Sequence, residues 1–347
     1  MWVPRDCYIL LSPVLNKPCR LNNSHESLIT MAITVSCMEK ECREIHDSLQ
    51  KSKLSKLVKT LTCKNKIERQ QMRNTYKVMY GKDFSNIFQS IQNSSNPSVQ
   101  RVCEALNLWM MDPHERDAIL AREALHADYK VLVEIFTGRK SCQIALIKQV
   151  YRAKFKTHLE QDIIDMEPQN SYQKILVGLA TSHKAHHSET CKEIAKCDAK
   201  RLYKSVGGGS EALEEAVILE ILSKRSLPQM KLTFASYKSI YGEEYAKAVK
   251  KGRFKEMENA LITLIKCIRN PPRYFAKELY KSLNGLASDK SVLRVLITRS
   301  EIDMDEIRRE FEKENGKRLT ECICDRIPEG DYLDFLVALA SSTKIHS

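Results

Sequence analysis

Histidine and cysteine side chains are the first candidates for chemistry, because both can bind a metal ion. Three histidines and one cysteine lie close together in a polar stretch: His183, His186, His187 and Cys191. A zinc site needs four ligands in tetrahedral geometry, usually with paired Cys-x-x-Cys spacing, which this stretch lacks. We therefore interpret the stretch as a solvated linker.

No arrangement of residues for catalysis can be assigned either. The chain contains no G-x-x-x-x-G-K-[ST] loop for phosphates. Cys322 and Cys324 are expected on different faces of one short helix, and neither a Ser–His–Asp set nor a pair of carboxylates can be assigned from one helical array. We predict that the chain is not an enzyme.

The charge of the chain indicates anionic partners. The 347 residues include 56 Lys and Arg against 44 Asp and Glu, which gives a net charge of +12. A basic surface attracts nucleic acid, acidic lipid or acidic protein, although a basic protein without such a partner is an open alternative. The twelve cysteines are scattered, which predicts reduced thiols and a cytoplasmic location.

The sequence that must position these residues contains an internal repeat, which occurs four times. A basic residue closes an apolar helical run, and an aromatic residue follows twelve positions later, in four places: Lys64 and Tyr76, Arg139 and Tyr151, Arg225 and Tyr237, Arg299 and Phe311. A third landmark then opens another apolar run: Val102, Tyr172, Met257 and Tyr332. The spacing within pairs is constant, whereas successive pairs lie 75, 86 and 74 residues apart. This pattern is typical of repeats with loop insertions.

The repeat predicts an all-α fold with five helices in each copy. The four copies are expected at 36–111, 112–182, 190–270 and 271–342. Residues 1–35 are interpreted as an N-terminal tail outside the fold, because residues 1–30 carry three prolines and no helical period. Asp112 before Pro113 predicts an N-cap, and the prolines at 271 and 272 are expected to end the preceding helix.

This organisation resembles the annexin family. The most telling segments are LWMMDPHERDA after the first copy, SYKSIYGEEYAKAV in the third, and RVLITRSEIDMDEIRREF with GDYLDFLVALA in the fourth. The resemblance covers about residues 36–342 and is greatest to the plant branch. It implies a right-handed superhelix of four repeats in a slightly curved disc, and peripheral, usually calcium-dependent binding to acidic phospholipid.

The resemblance also implies where calcium would bind. In the family, a Gly-rich loop between the first two helices of a repeat turns carbonyl oxygens outward, and a carboxylate before the fifth helix adds a bidentate ligand. The acid position corresponds here to Pro97, Glu167, Gly252 and Ile327, and only Glu167 is acidic. The candidate calcium ligands are therefore incomplete sets and predict weak binding at most: Val206, Gly207, Gly209, Glu167 and Gly285.

The segment GGGSEALEE in the third copy allows two interpretations. Its glycines could hold a weakly bound ion with help from Glu211, Glu214 or Glu215. Alternatively, it is a flexible turn followed by an acidic first helical turn, which the helix dipole favours.

Basic residues stand beside or in place of the missing calcium ligands. Lys51, Lys53 and Lys56 replace the loop of the first copy, and the missing acid of the third copy is flanked by Lys250, Lys251 and Arg253. If the copies fold as in the family, both groups face the membrane and attract acidic phospholipid at ~1 kcal/mol per basic residue. We predict a cytoplasmic protein, peripheral at membranes, with weak dependence on calcium.

Two further interpretations concern partners and structure. If the loop lysines are merely solvated, the chain would be a helical-repeat scaffold for a protein partner such as the cytoskeleton. No specific nucleic-acid partner is predicted, because no recognition motif is found. Arg139, Arg225 and Arg299 are expected to be structural, since each ends a second helix, where a cation suits the dipole and can bond the last carbonyls.

Overall fold

The computed structural model describes residues 23–51, 53–92, 96–166, 171–181, 189–206, 211–251, 258–285 and 289–342. These residues form twenty α-helices and contain no β-strand, which confirms the all-α class.

The helices fall into four groups of five along the chain. The first group is α1 (Asn23–Gln50), α2 (Leu54–Thr62), α3 (Lys66–Tyr80), α4 (Phe84–Gln92) and α5 (Pro97–Met110). The second is α6 (Pro113–Ala127), α7 (Lys130–Gly138), α8 (Ser141–Phe155), α9 (Leu159–Ile164) and α10 (Ser171–Thr181). The third is α11 (Lys192–Val206), α12 (Glu211–Lys224), α13 (Leu227–Tyr241), α14 (Tyr245–Lys251) and α15 (Glu258–Arg269). The fourth is α16 (Pro271–Leu283), α17 (Asp289–Arg299), α18 (Met304–Asn315), α19 (Leu319–Arg326) and α20 (Asp331–Ser341).

Side-chain caps set the starts of α6, as the sequence predicted, and of α16, whose cap the sequence analysis did not identify. The Asp112 carboxylate accepts a hydrogen bond from the His114 N–H at 2.8 Å, with Pro113 in the first turn of α6. Asn270 caps α16 in the same way, accepting from the Arg273 N–H at 3.1 Å. The two prolines that follow Asn270 thus start α16 directly after α15 ends.

The first helix begins earlier than expected. The sequence analysis placed helix from about Ser36 and a tail over residues 1–35, whereas α1 begins at Asn23. The last proline before it is Pro18, so no residue between Asn23 and Ser36 breaks a helix. The expectation of a tail rested on three prolines, all of which lie before α1.

The third helices show a difference between copies at their C-termini. Glycine in the left-handed region ends α3, α13 and α18, at Gly81, Gly242 and Gly316. In the second copy Lys156 takes this conformation, with φ of 63°. Its ammonium donates a 2.8 Å hydrogen bond to the Ala153 carbonyl, which offsets part of the strain.

We expect Lys156→Gly to raise the free energy of unfolding by about 0.5–1 kcal/mol, because glycine takes positive φ without the Cβ penalty. The reverse change, Gly316→Lys, should lower it by about 1 kcal/mol. Denaturant titration of both variants measures the difference. A loss of stability in Lys156→Gly, or no loss in Gly316→Lys, would contradict this assignment of strain.

The core is built from the aromatic landmarks of the repeat. Tyr76, Tyr151, Tyr237 and Phe311 lie in the third helices as predicted, each no more than 1% exposed. Between copies, α7 packs against α15 and α2 packs against α20, so the first copy contacts the fourth.

One buried arginine also joins the first copy to the fourth. Arg69 of α3 is 1% exposed and donates two 3.0 Å hydrogen bonds to the Glu301 carboxylate, which follows α17. Its guanidinium lies 3.6 Å from the centre of the Trp109 ring. The ion pair with Glu301 therefore holds the first copy to the fourth, and the Trp109 ring stabilises the guanidinium in that position.

Candidate functional site

The basic landmarks bind carboxylates on the first helix of their own copy. Lys64 pairs with Glu41 at 2.7 Å. The other two pairs are Arg139 with Asp117 and Arg225 with Asp198, each at 2.6 Å. Of these arginines, only Arg139 also reaches a terminal carbonyl, that of Gly138 at 3.3 Å. The expected role in bonding the last carbonyls is therefore secondary, since the charged acceptor is the stronger one.

The fourth copy replaces the first-helix acid by an aromatic ring. Phe275 stands there, and the Arg299 guanidinium lies 4.5 Å from the centre of its ring. Arg299 instead pairs with Asp303, before α18, with 2.8 Å between Nε and Oδ1. The acids on the first helices were not identified from the sequence. A signal was present, because Glu41, Asp117 and Asp198 lie 22 to 27 residues before their basic partners.

A buried ionic cluster joins the second copy to the fourth. Glu134 of α7 is 7% exposed and accepts a hydrogen bond from the Tyr274 hydroxyl at 2.9 Å. It also pairs with Arg294 of α17. Beside the cluster lies a small cavity of about 20 Å³, which is lined in part by Arg139 and Arg299. Burial raises the pKa of the Glu134 carboxyl, which Arg294 opposes.

In the first copy the candidate loop is basic. Lys51 and Lys53 are exposed between α1 and α2, and neither side chain has a partner among the described residues. Lys56, in the first turn of α2, pairs with Glu44 at 3.1 Å. Pro97, at the acid position, opens α5. Calcium needs six to eight oxygen ligands, so cationic side chains and a proline do not fit it.

The second and third copies are only partly described. In the second, the α6–α7 connection contains Asp128, whose carboxylate caps α7 by accepting from the Lys130 N–H at 3.1 Å. In the third, Val206 is the half-buried last residue of α11. Glu215 pairs with Lys174 at 3.1 Å. The remaining predicted site residues of these copies lie outside the described residues: Glu167, Gly207, Gly209 and Arg253.

The fourth copy presents a cation where an anionic ligand would be needed. Gly285 follows α16 with φ of +76°, in the connection to α17. Ile327, at the acid position, is 4% exposed and supplies no oxygen from its side chain. The guanidinium of the preceding residue, Arg326, lies against Gly285. This donor set does not fit calcium either.

No group of three or more histidine, cysteine or acidic side chains that could hold a metal occurs within the described ranges. The predicted linker histidines, 183 to 187, lie outside them. Cys191 is a free, exposed cysteine, as is Cys324, whereas Cys322 is half-buried on the same helix. None of the described helices is long and apolar enough to span a membrane.

Lysines concentrate where the third copy meets the fourth. Burial, and then the charges of Lys281, Lys250 and Lys277, lower the pKa of Lys266. Lys250 is exposed at the end of α14 and has no described partner. The adjacent Lys251 pairs with Glu243 at 2.8 Å. Burial is the larger cause, and the three lysines add a positive contribution that Glu278 partly opposes.

Comparison with known proteins defines the class to which this helical-repeat fold belongs. The annexin family model matches residues 116–179, 197–264 and 274–339. Human annexin A13 is 31% identical over 288 residues, covering 82% of this chain and 88% of that protein. Annexin D7 of Arabidopsis thaliana is 31% identical over 287 residues, with the same coverage. The structure of chicken annexin V superposes with a TM-score of 0.70 at 26% identity, covering 88% of this chain and 95% of that chain.

The chain belongs to the annexin family, as the resemblance of its repeat landmarks indicated. Annexins are, in general, calcium-dependent phospholipid-binding proteins. The matched ranges of the family model lie in the second, third and fourth copies, and the first copy, with its basic loop, is outside them.

Proposed function

We propose that this annexin binds acidic phospholipid membranes peripherally from the cytoplasm, through exposed basic residues and with little dependence on calcium. The observation that carries the proposal is the basic loop of the first copy, where Lys51 and Lys53 are exposed and have no described partner. Unpaired cations at a surface gain most from an anionic membrane, because no internal carboxylate competes for them.

The lysines of the third and fourth copies support the same function. Besides burial, the charge of Lys250 helps to lower the pKa of Lys266. An anionic surface close to these side chains would relieve their mutual repulsion, whereas a calcium ion would increase it. The net charge of +12 acts in the same direction over the whole molecule.

We expect binding to phosphatidylserine vesicles that persists in a calcium chelator and falls steeply with salt, because exposed charges are screened over ~10 Å at 0.1 M ionic strength. Co-sedimentation across calcium and salt titrations measures this. Tight binding that appears only with micromolar calcium and survives high salt would overturn the proposal. The absence of binding under every condition would favour the alternative of a protein-binding scaffold.

Reversing charge at Lys250 and Lys251 to Glu should weaken calcium-free binding by at least about tenfold, since each basic residue near the membrane contributes ~1 kcal/mol. A matched control reverses Lys77 and Lys231, which are exposed on the third helices α3 and α13 without described partners. Both double variants change the net charge equally. Equal loss in the two would mean that only overall charge, and not these positions, determines binding.

A further inference from the structure

In the fourth copy, a guanidinium lies between the connection that follows the first helix and the one that precedes the fifth. Arg326 is the last residue of α19, and one of its terminal nitrogens lies 3.7 Å from the position that a Cβ on Gly285 would occupy. Gly285 belongs to the α16–α17 connection, whereas Arg326 opens the α19–α20 connection. The side chain therefore brings a fixed positive charge to the meeting point of the two connections.

This guanidinium has no acceptor among the described residues. Arg326 is exposed and forms no described hydrogen bond or ion pair. The carboxylate next to it in sequence, Asp325, lies 3.6 Å from the ammonium of Lys317. Ile327 is buried on the other side, and Glu329 is exposed without a described contact to Arg326. Within the part of the chain that the structure describes, no acceptor therefore competes with a ligand for the donors of Arg326.

The chemistry of the donor selects the ligand. A guanidinium presents N–H groups in a planar fork that matches two oxygens of a phosphate, and it stays charged at any physiological pH. Lys281 lies in the last turn of α16, one turn before Gly285, and its ammonium pairs with Glu278 at 2.7 Å, so Arg326 carries the unpaired charge. A metal cation is disfavoured beside such a group, whereas a phosphate is favoured.

We propose that Arg326 binds the phosphate of an acidic phospholipid headgroup directly, so that the fourth copy uses a guanidinium where a calcium ion would otherwise bridge protein and lipid. This inference rests on the proposed membrane-binding function. A lipid surface is the favoured source of phosphate because one exposed arginine binds a free phosphate weakly. On a membrane, the other basic groups of the chain hold many headgroups near it at the same time.

The experiment compares three variants of the full chain on vesicles that contain phosphatidic acid, in a calcium chelator. Arg326→Gln should weaken binding about tenfold, because a charge and a two-point hydrogen bond are both lost. Arg326→Lys should fall between it and the wild type, since a lysine keeps the charge but not the fork. The control is Arg152→Gln, an exposed arginine of α8 that likewise has no described partner and should change binding less than about twofold. Melting temperatures confirm that each variant is folded.

The outcomes separate this inference from the proposed function. If the wild type binds without calcium and Arg326→Gln behaves like Arg152→Gln, the inference fails while the proposed function stands. If the wild type does not bind these vesicles without calcium, both fail. A further arm adds inorganic phosphate to the wild type. Competition at concentrations far below those that act by ionic strength alone would assign Arg326 to free phosphate and overturn the lipid assignment.

Discussion

Replacing Glu134 by Gln is expected to lower the free energy of unfolding by about 3–5 kcal/mol, the cost of leaving a buried charge without its partner. Glu134 of the second copy is 7% exposed and accepts from Arg294 and Tyr274, both of the fourth copy. The amide keeps the shape of the carboxylate but cannot balance the guanidinium charge. Arg294 would then remain buried and unpaired. Denaturant unfolding measures the loss.

The same chemical change at an exposed pair is the control. Glu220 of α12 pairs with Arg201 at 2.5 Å and with Lys224 at 3.1 Å, and its side chain is 40% exposed. Glu220→Gln should cost less than about 1 kcal/mol, because solvent screens surface ion pairs. A double variant, Glu134→Leu with Arg294→Met, should recover most of the stability, since both buried charges are removed together. If Glu134→Gln costs no more than Glu220→Gln, the cluster does not hold the second and fourth copies together.

Truncating Arg299 to Ala is expected to lower the free energy of unfolding by about 3 kcal/mol, again because a pair of low exposure is broken. Arg299 is 5% exposed, pairs with Asp303 and lies over the Phe275 ring. The truncation leaves Asp303 without its guanidinium and removes the cation from the ring. The melting temperature should fall by several degrees, while vesicle binding at temperatures where the variant is folded should be unchanged.

A less buried pair in the same copy is the control for Arg299. Arg308 of α18 pairs with Asp305, and its side chain is 29% exposed. Arg308→Ala should cost less than about 1 kcal/mol. Unchanged stability in Arg299→Ala together with a loss of lipid binding would show that Arg299 acts in binding, and that its structural assignment is wrong.

The helical repeat could be predicted from local patterns in the sequence. Asp112 with Pro113, and Asn270 with the prolines that follow it, set the starts of α6 and α16 because capping involves residues adjacent in sequence. The aromatic landmark of each copy repeats at a fixed distance from a basic residue, since both belong to consecutive helices that must pack together. The start of α1 at Asn23 was missed because the three prolines that indicated a tail all lie before it.

The sequence by itself determined the all-α organisation in repeated copies and the family, and it predicted that Pro97, Ile327 and basic residues replace calcium ligands. These are properties of residue type and spacing. Only the tertiary structure decided which charges meet. Glu134 pairs with Arg294 160 residues later, and Arg69 pairs with Glu301 232 residues later. It also placed Arg326 against Gly285, 41 residues earlier. Such contacts depend on how helices of different copies pack together and on how the loops within one copy meet. The repeat spacing identifies equivalent positions in the four copies. It does not predict which non-equivalent positions are in contact.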